Sequence, residues 1–93
     1  MGEAPAWLIN TFGVIAGLCS MASFVPQIIK IMKERDASSV SLRMYAVTAI
    51  GFSCWTIYGV LSGSWPVALA NTVCLVLVLV ILTLRLRFAG SNA

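Results

Sequence analysis

Two long stretches without a charged side chain dominate this sequence, at residues 4–29 and 44–84. A bilayer core about 30 Å thick is crossed by roughly 20 helical residues, so the first stretch is long enough for one crossing and the second for two. The second is interrupted at 62–66 by Ser-Gly-Ser-Trp-Pro. Gly and Ser favour a turn, Ser64 can cap the next helix, and Pro66 suits its first turn. We therefore predict an all-α membrane protein, a single domain over residues 1–93, with spans at about 7–29, 44–61 and 66–84.

The overall composition excludes several other classes of protein. Of the 93 residues, 60% are hydrophobic and 10% charged, whereas soluble domains average about 45–50% and 25%. There is no histidine, and the three cysteines lie apart within apolar runs, which argues against a zinc site or a disulfide framework. We predict that Cys19, Cys54 and Cys74 are small buried apolar residues. No metal or cofactor is expected. Nucleic-acid binding is not expected either, because no basic face interleaved with aromatic residues is present.

Charge placement predicts the topology. Basic residues are concentrated in the segment 30–43, between the first two spans, and in the tail 85–93, whereas the amino-terminal segment has only Glu3 and the turn at 62–65 has no charge. By the positive-inside rule, the loop 30–43 and the tail are cytoplasmic and the amino terminus is outside the inner (plasma) membrane. The acidic start and long apolar run of the first span are unlike a cleaved signal peptide.

Polar, small and aromatic residues fall on one face of each of the first two spans. Steps of three and four residues along a helix stay on one face. A lipid-facing stripe is aliphatic, so these faces are predicted to contact protein or water. Close helix packing alone accounts for the Gly13-x-x-x-Gly17 spacing. The two stripes are Asn10, Gly13, Gly17, Ser20, Phe24 and Gln27, and Met44, Thr48, Gly51, Trp55, Tyr58 and Ser62.

Trp55 and Asn71 are the most informative pair of residues in the spans. With a rise of about 1.5 Å per residue, Trp55 lies roughly 3 Å and Asn71 roughly 6 Å outward of their span centres. The two helices run antiparallel, so both side chains reach one depth. An intramembrane asparagine either bonds to a neighbouring helix or contacts a ligand; its pairing with a mid-membrane tryptophan favours a ligand.

That pair suits an uncharged, polyhydroxylated molecule. An indole face is a flat apolar platform for the C–H face of a sugar ring, and a carboxamide both donates and accepts hydrogen bonds. The cores of the spans contain no Asp, Glu, Lys, Arg or His, and thus no evident proton relay or cation site. A passive carrier is therefore favoured. Catalysis is not expected, since the intramembrane serines Ser20, Ser23 and Ser53 have no evident base.

Several motifs resemble one known family. The sequence SFVPQI at 23–28, SSVSL at 38–42, Trp55-x-x-Tyr58, and the stretch from Trp65-Pro66 to Asn71 are similar to the PQ-loop family, and specifically to the SemiSWEETs, the bacterial half-size SWEET sugar transporters. The resemblance covers nearly the whole chain. It implies a membrane transporter for a small neutral sugar.

The resemblance also implies roles for individual residues. Trp55 and Asn71 would contact the sugar, with Ser20 and Gly51 lining the same pocket. The gate and hinge positions would be Phe24 and Met44 at the inner gate, Pro26 and Gln27 at the hinge of the first helix, and Tyr58 at the outer gate. Two features depart from the family. The inner-gate positions are not the prolines of plant members. Several half-size relatives have an Arg and an Asp just beyond the outer-gate tyrosine, whereas this chain offers only Ser62 and Ser64 there.

Three helices are too few to enclose a polar path through lipid, so we expect two copies. Both copies obey the same charge rule, which gives a parallel homodimer, the symmetry of SWEET repeats. Two Trp55 and two Asn71 would then surround one site, and the halves would rock about Pro26 in an alternating-access uniport cycle. The alternatives are a carrier of another small polar solute, a holin-like pore, and a non-transporting membrane subunit.

Overall fold

The computed structural model describes residues 4–88; residues 1–3 and 89–93, which include Glu3 and most of the predicted tail, lie outside the described residues. Three α-helices are present: α1 (Ala6–Glu34), α2 (Leu42–Ser62) and α3 (Trp65–Phe88). Each is long and apolar enough to cross a membrane. The all-α, three-helix prediction is confirmed, and every helix extends beyond its predicted span.

The connection between α1 and α2 is shorter than the predicted loop of 30–43. Pro26 lies inside α1, and the helix continues for two further turns to Glu34. A proline removes one hydrogen bond and bends a helix, but the residues that follow it here are mostly good helix formers. Helix α1 ends at Arg35, which adopts the left-handed conformation with φ 52°. The loop is therefore 35–41.

This loop packs against the ends of the helices. Ala37 and Val40 are buried, and Asp36 Oδ1 accepts a hydrogen bond of 2.9 Å from the Ser38 amide. That amide and the Ser38 hydroxyl hold the pKa of Asp36 below its usual range. The Arg85 Nε–H of α3 donates to the Val40 carbonyl oxygen at 2.8 Å. The basic loop and the basic end of α3 thus form one structured end of the bundle, which we call the loop end.

The opposite end, which we call the turn end, contains the predicted break at 62–66. Gly63 adopts the left-handed backbone conformation with φ 75°, which favours glycine. Its N–H donates to the carbonyl oxygens of Gly59 and Val60 in the last turn of α2. The Ser64 carbonyl accepts from the Ala68 amide at 3.0 Å, and Pro66 lies in the first turn of α3. Helices α2 and α3 are therefore an antiparallel hairpin, as predicted.

Helix α3 lies between α1 and α2, whose backbones do not approach each other closely within residues 4–88. A Cβ added at Gly17 would lie 2.6 Å from the Ala70 Cβ, and one at Gly13 would lie 2.8 Å from the Pro66 Cβ. The Gly13-x-x-x-Gly17 spacing is thus confirmed as a packing feature that brings α1 against α3.

Buried side chains are concentrated at the loop end. The prediction of buried cysteines is right for Cys74 and wrong for Cys19 and Cys54, which are exposed on the single protomer. Many large apolar side chains are exposed along all three helices, as expected where lipid or a second copy covers the surface. The buried apolar cluster comprises Ile31, Ala37, Val40, Tyr45, Val78 and Ile81.

Candidate functional site: an uncharged recess in the helix bundle

Trp55 and Asn71 lie at one depth, measured from the turn that joins their helices. Trp55 is eight residues before Gly63, and Asn71 is seven after Ser64. These separations correspond to roughly 12 Å and 10 Å of helix. Both residues line a single recess of about 280 Å³. The recess is lined by Gly13, Ala16, Gly17, Ser20, Phe52, Trp55, Pro66, Val67, Ala70, Asn71 and Cys74.

The Trp55 side chain is 55% exposed, so much of the indole is available to a ligand or a second copy. Its ring meets the Tyr58 ring edge to face, with centroids 5.4 Å apart and planes at 85°. Such an arrangement favours one orientation of the indole. The indole N–H of this exposed side chain is a hydrogen-bond donor to which a ligand hydroxyl can bind.

Asn71 is oriented by its own helix. Its Nδ2 donates to the Val67 carbonyl oxygen at 2.8 Å, and the side chain bonds to no other helix within the described part of the chain. One N–H and the amide oxygen therefore remain for a partner. The sequence left two roles open for Asn71, a hydrogen bond to a neighbouring helix and contact with a ligand. Within the described residues of the protomer, Asn71 makes no hydrogen bond to a neighbouring helix.

Ser20 supplies a third polar group to the recess, from α1. Its hydroxyl donates to the Ala16 carbonyl oxygen at 3.1 Å, which leaves the Ser20 oxygen as an acceptor. The residues that line the recess include no Asp, Glu, Lys or Arg. The site offers neutral donors and acceptors beside an aromatic surface, a lining suited to an uncharged polar ligand.

Gly51 does not line this recess in the protomer. It lies in a second, more open recess of about 440 Å³ with Cys54, Trp55 and Tyr58. A Cβ built at Gly51 would meet nothing within 4 Å. Trp55 lines both recesses, so Gly51 lies beside the site but in a different recess from Ser20.

The predicted gate residues lie in two groups. Tyr58 is exposed beside Trp55 toward the turn end. Toward the loop end, the half-buried Phe24 ring meets the Phe52 ring edge to face, with centroids 5.8 Å apart. Met44 is 54% exposed there. Gln27, beside Pro26, accepts a hydrogen bond from the Tyr45 hydroxyl.

Several residues that line the recess, among them Phe52 and Cys74, were not predicted from the sequence to do so. Phe52 lies three residues before Trp55, and Cys74 three residues after Asn71. Each shares a helix face with the residue that was identified. Extending the same stepwise search along α3 would have found Cys74, and starting the α2 search from Trp55 would have found Phe52.

Comparison with known proteins decides the family. The family described as PQ loop repeat matches residues 8–68, more than half of the chain. The chain belongs to the PQ-loop family. This PQ-loop chain is 39% identical over 82 residues to the protein named sugar transporter SemiSWEET of Bradyrhizobium diazoefficiens, covering 88% of this chain and 95% of the relative. It is 32% identical to the Leptospira biflexa protein of the same name, covering 83% and 91%.

Solved structures of PQ-loop relatives share the fold. A crystal structure described as a bacterial homologue of SWEET transporters matches with a TM-score of 0.83 at 41% identity, covering 87% of this chain and 98% of that one. One described as SemiSWEET in the inward-open conformation matches with a TM-score of 0.78 at 28% identity, covering 91% of each chain. The resemblance to SemiSWEETs is confirmed. The chain is a multi-pass membrane protein, and the Bradyrhizobium and Leptospira relatives are named transporters and not enzymes.

Proposed function

We propose that this protein is a facilitative transporter, a uniporter, of a small neutral sugar. The observation that carries the proposal is the recess in which the Trp55 indole and the Asn71 carboxamide lie at one depth, with no charged group in the lining. A sugar ring presents C–H groups to an aromatic face and hydroxyls to an amide. The names of the relatives, sugar transporters, support the same substrate class.

The transport unit we propose is a parallel homodimer. The recess of one protomer is open, and the Trp55 side chain that lines it is more than half exposed, as is the neighbouring Tyr58. A second copy would close the recess and double its indole and amide groups around one site. Alternating access then follows from rocking of the two halves, with Pro26 as the bend and Phe24, Met44 and Tyr58 at the gates.

We propose that the loop end faces the cytoplasm. Lys33 lies in the last turn of α1, and Arg85 and Arg87 lie in the last turn of α3. The contact between Arg85 and Val40 places these basic groups at one end of the bundle. The positive-inside rule favours this end on the cytoplasmic side, with the amino terminus outside.

Removing the polar groups of Asn71 tests the site. In liposomes that contain the purified protein, we expect Asn71→Leu to reduce saturable uptake of labelled glucose or sucrose by about tenfold or more, since an unpaired sugar hydroxyl costs about 1–3 kcal/mol. Thr72→Val is the matched control, because the adjacent Thr72 is exposed and bonds only to Ala68. Equal uptake by wild type and Asn71→Leu would contradict the site.

Energy coupling provides a second test. The recess contains no carboxylate, imidazole or amine to carry a proton. An imposed proton gradient should therefore leave the initial rate of sugar uptake unchanged within about 20%, and sugar should equilibrate without accumulating. Accumulation that follows the gradient would overturn the uniport mechanism. Dissipation of the gradient by the protein itself would indicate a holin-like pore, and uptake of another solute instead of sugar would indicate a different cargo.

A further inference from the structure

The Tyr45 side chain of α2 contacts α1 on both sides of Pro26. The backbones of these helices are kept apart by α3 within residues 4–88. The Tyr45 hydroxyl donates to Gln27 Oε1, just after the proline. The Tyr45 ring also meets the Phe24 ring, two residues before the proline, with centroids 6.3 Å apart and planes at 64°. Tyr45 thus contacts α1 on either side of its weakest point.

Tyr45 is itself held firmly. It is 6% exposed and belongs to the buried cluster at the loop end. Ser41 caps the amino-terminal end of α2. Val40, just before this cap, and Tyr45, in the first turns of the helix, are buried in the same cluster. Apolar contacts at these two positions form a hydrophobic staple, which fixes the direction in which the chain enters the helix. The Val40 carbonyl is in turn bound by Arg85 of α3. The tyrosine therefore relates α1 to a fixed frame made of the loop and α3.

Through Tyr45, the loop and α3 can control the bend of α1 at Pro26. Proline lacks an N–H, so the Ala22 carbonyl has no helical donor and bending costs less there than elsewhere in α1. Beyond Pro26, the segment 27–34 is held by the hydrogen bond to Gln27 and by the burial of Ile31. The Phe24 ring, on the other side, is held between Tyr45 and Phe52.

We propose that Tyr45 is a positioning residue that sets the bend of α1 at Pro26, and with it the conformational exchange of the proposed transport cycle. This inference rests on the proposed function, although the bend itself can be measured without transport. Tyr45 does not line the recess, so it acts through α1 and not through contact with the sugar. The hydroxyl controls the segment after Pro26, and the ring controls Phe24.

Hydrogen–deuterium exchange in lipid nanodiscs separates these two contributions. We expect Tyr45→Phe to speed exchange of the amides of 27–34 about three- to tenfold, since one interhelical hydrogen bond is lost. Gln27→Leu should do the same, and the double variant should exchange no faster than the faster single variant. Tyr45→Leu should also speed exchange of 20–25. Thr83→Val, which removes an exposed hydroxyl bonded within α3, is the control that leaves both segments unchanged.

Additive effects of Tyr45→Phe and Gln27→Leu, or no change in exchange of 27–34, would overturn the inference whatever the uptake assay gives. In proteoliposomes, the two single variants should change the maximal uptake rate in the same direction by about threefold or more, and Thr83→Val should not. An absence of sugar uptake by the wild type would contradict the proposed function alone, because the exchange result stands without it.

Discussion

Trp55→Ala should abolish saturable sugar uptake. The indole lines both the recess that contains Asn71 and the recess that contains Gly51. The substitution removes this apolar platform from both protomers of the proposed dimer. Each lost contact between an indole and the sugar should cost about 2–3 kcal/mol of binding free energy, which is about a 30- to 150-fold loss of affinity for the sugar. Initial rates of glucose and sucrose uptake should fall to those of protein-free liposomes. Trp55→Phe, which keeps a smaller aromatic face, should retain part of the uptake.

A second tryptophan provides the control for this experiment. Trp7, in the first turn of α1, is 69% exposed and does not line the recess. Trp7→Ala should therefore transport as the wild type does. Chemical cross-linking should give the same dimer fraction for Trp55→Ala and wild type, which separates a lost binding site from lost assembly. Full uptake by Trp55→Ala with an intact dimer would remove Trp55 from the site.

Helix number and the pairing of Trp55 with Asn71 could be predicted because both depend on local sequence. Span length is fixed by the bilayer, and the turn at 62–66 is marked by Gly63, where a left-handed backbone is needed. Once α2 and α3 form a hairpin, the distance of each residue from the turn determines its depth. The same reasoning found the Gly13-x-x-x-Gly17 contact, although it did not identify Pro66 and Ala70 as its partners.

The features that were missed depend on the order in which the helices pack. Nothing in the periodicity of a single helix indicates that α3 lies between α1 and α2. That order leaves long side chains such as Tyr45 and Phe52 to join α1 to α2. The shorter loop was missed because charged residues at 30–34 mark the edge of the bilayer and not the end of the helix. The positions of Cys54 and Gly51 relative to the proposed site would depend on how the two copies of the proposed dimer pack, which one sequence does not specify.

The close approach of α2 to α3 predicts a large loss of stability for one small substitution. A Cβ at Gly59 would lie 2.5 Å from the Ala68 amide nitrogen and 2.9 Å from its Cα, both backbone atoms that no side-chain rotation can move. Gly59→Ala must therefore separate the hairpin, and we expect it to cost about 3 kcal/mol and to lower the melting temperature in detergent by about 10 °C or more.

Gly51→Ala is the matched control for Gly59→Ala, on the same helix. A Cβ at Gly51 meets nothing within 4 Å, and alanine is favoured over glycine within a helix by about 0.5–1 kcal/mol. Its melting temperature should be unchanged or slightly raised. Equal melting temperatures for the two variants would mean that α2 and α3 do not pack through Gly59. Because the recess is built on this hairpin, the depth match of Trp55 and Asn71 would then lose its structural basis.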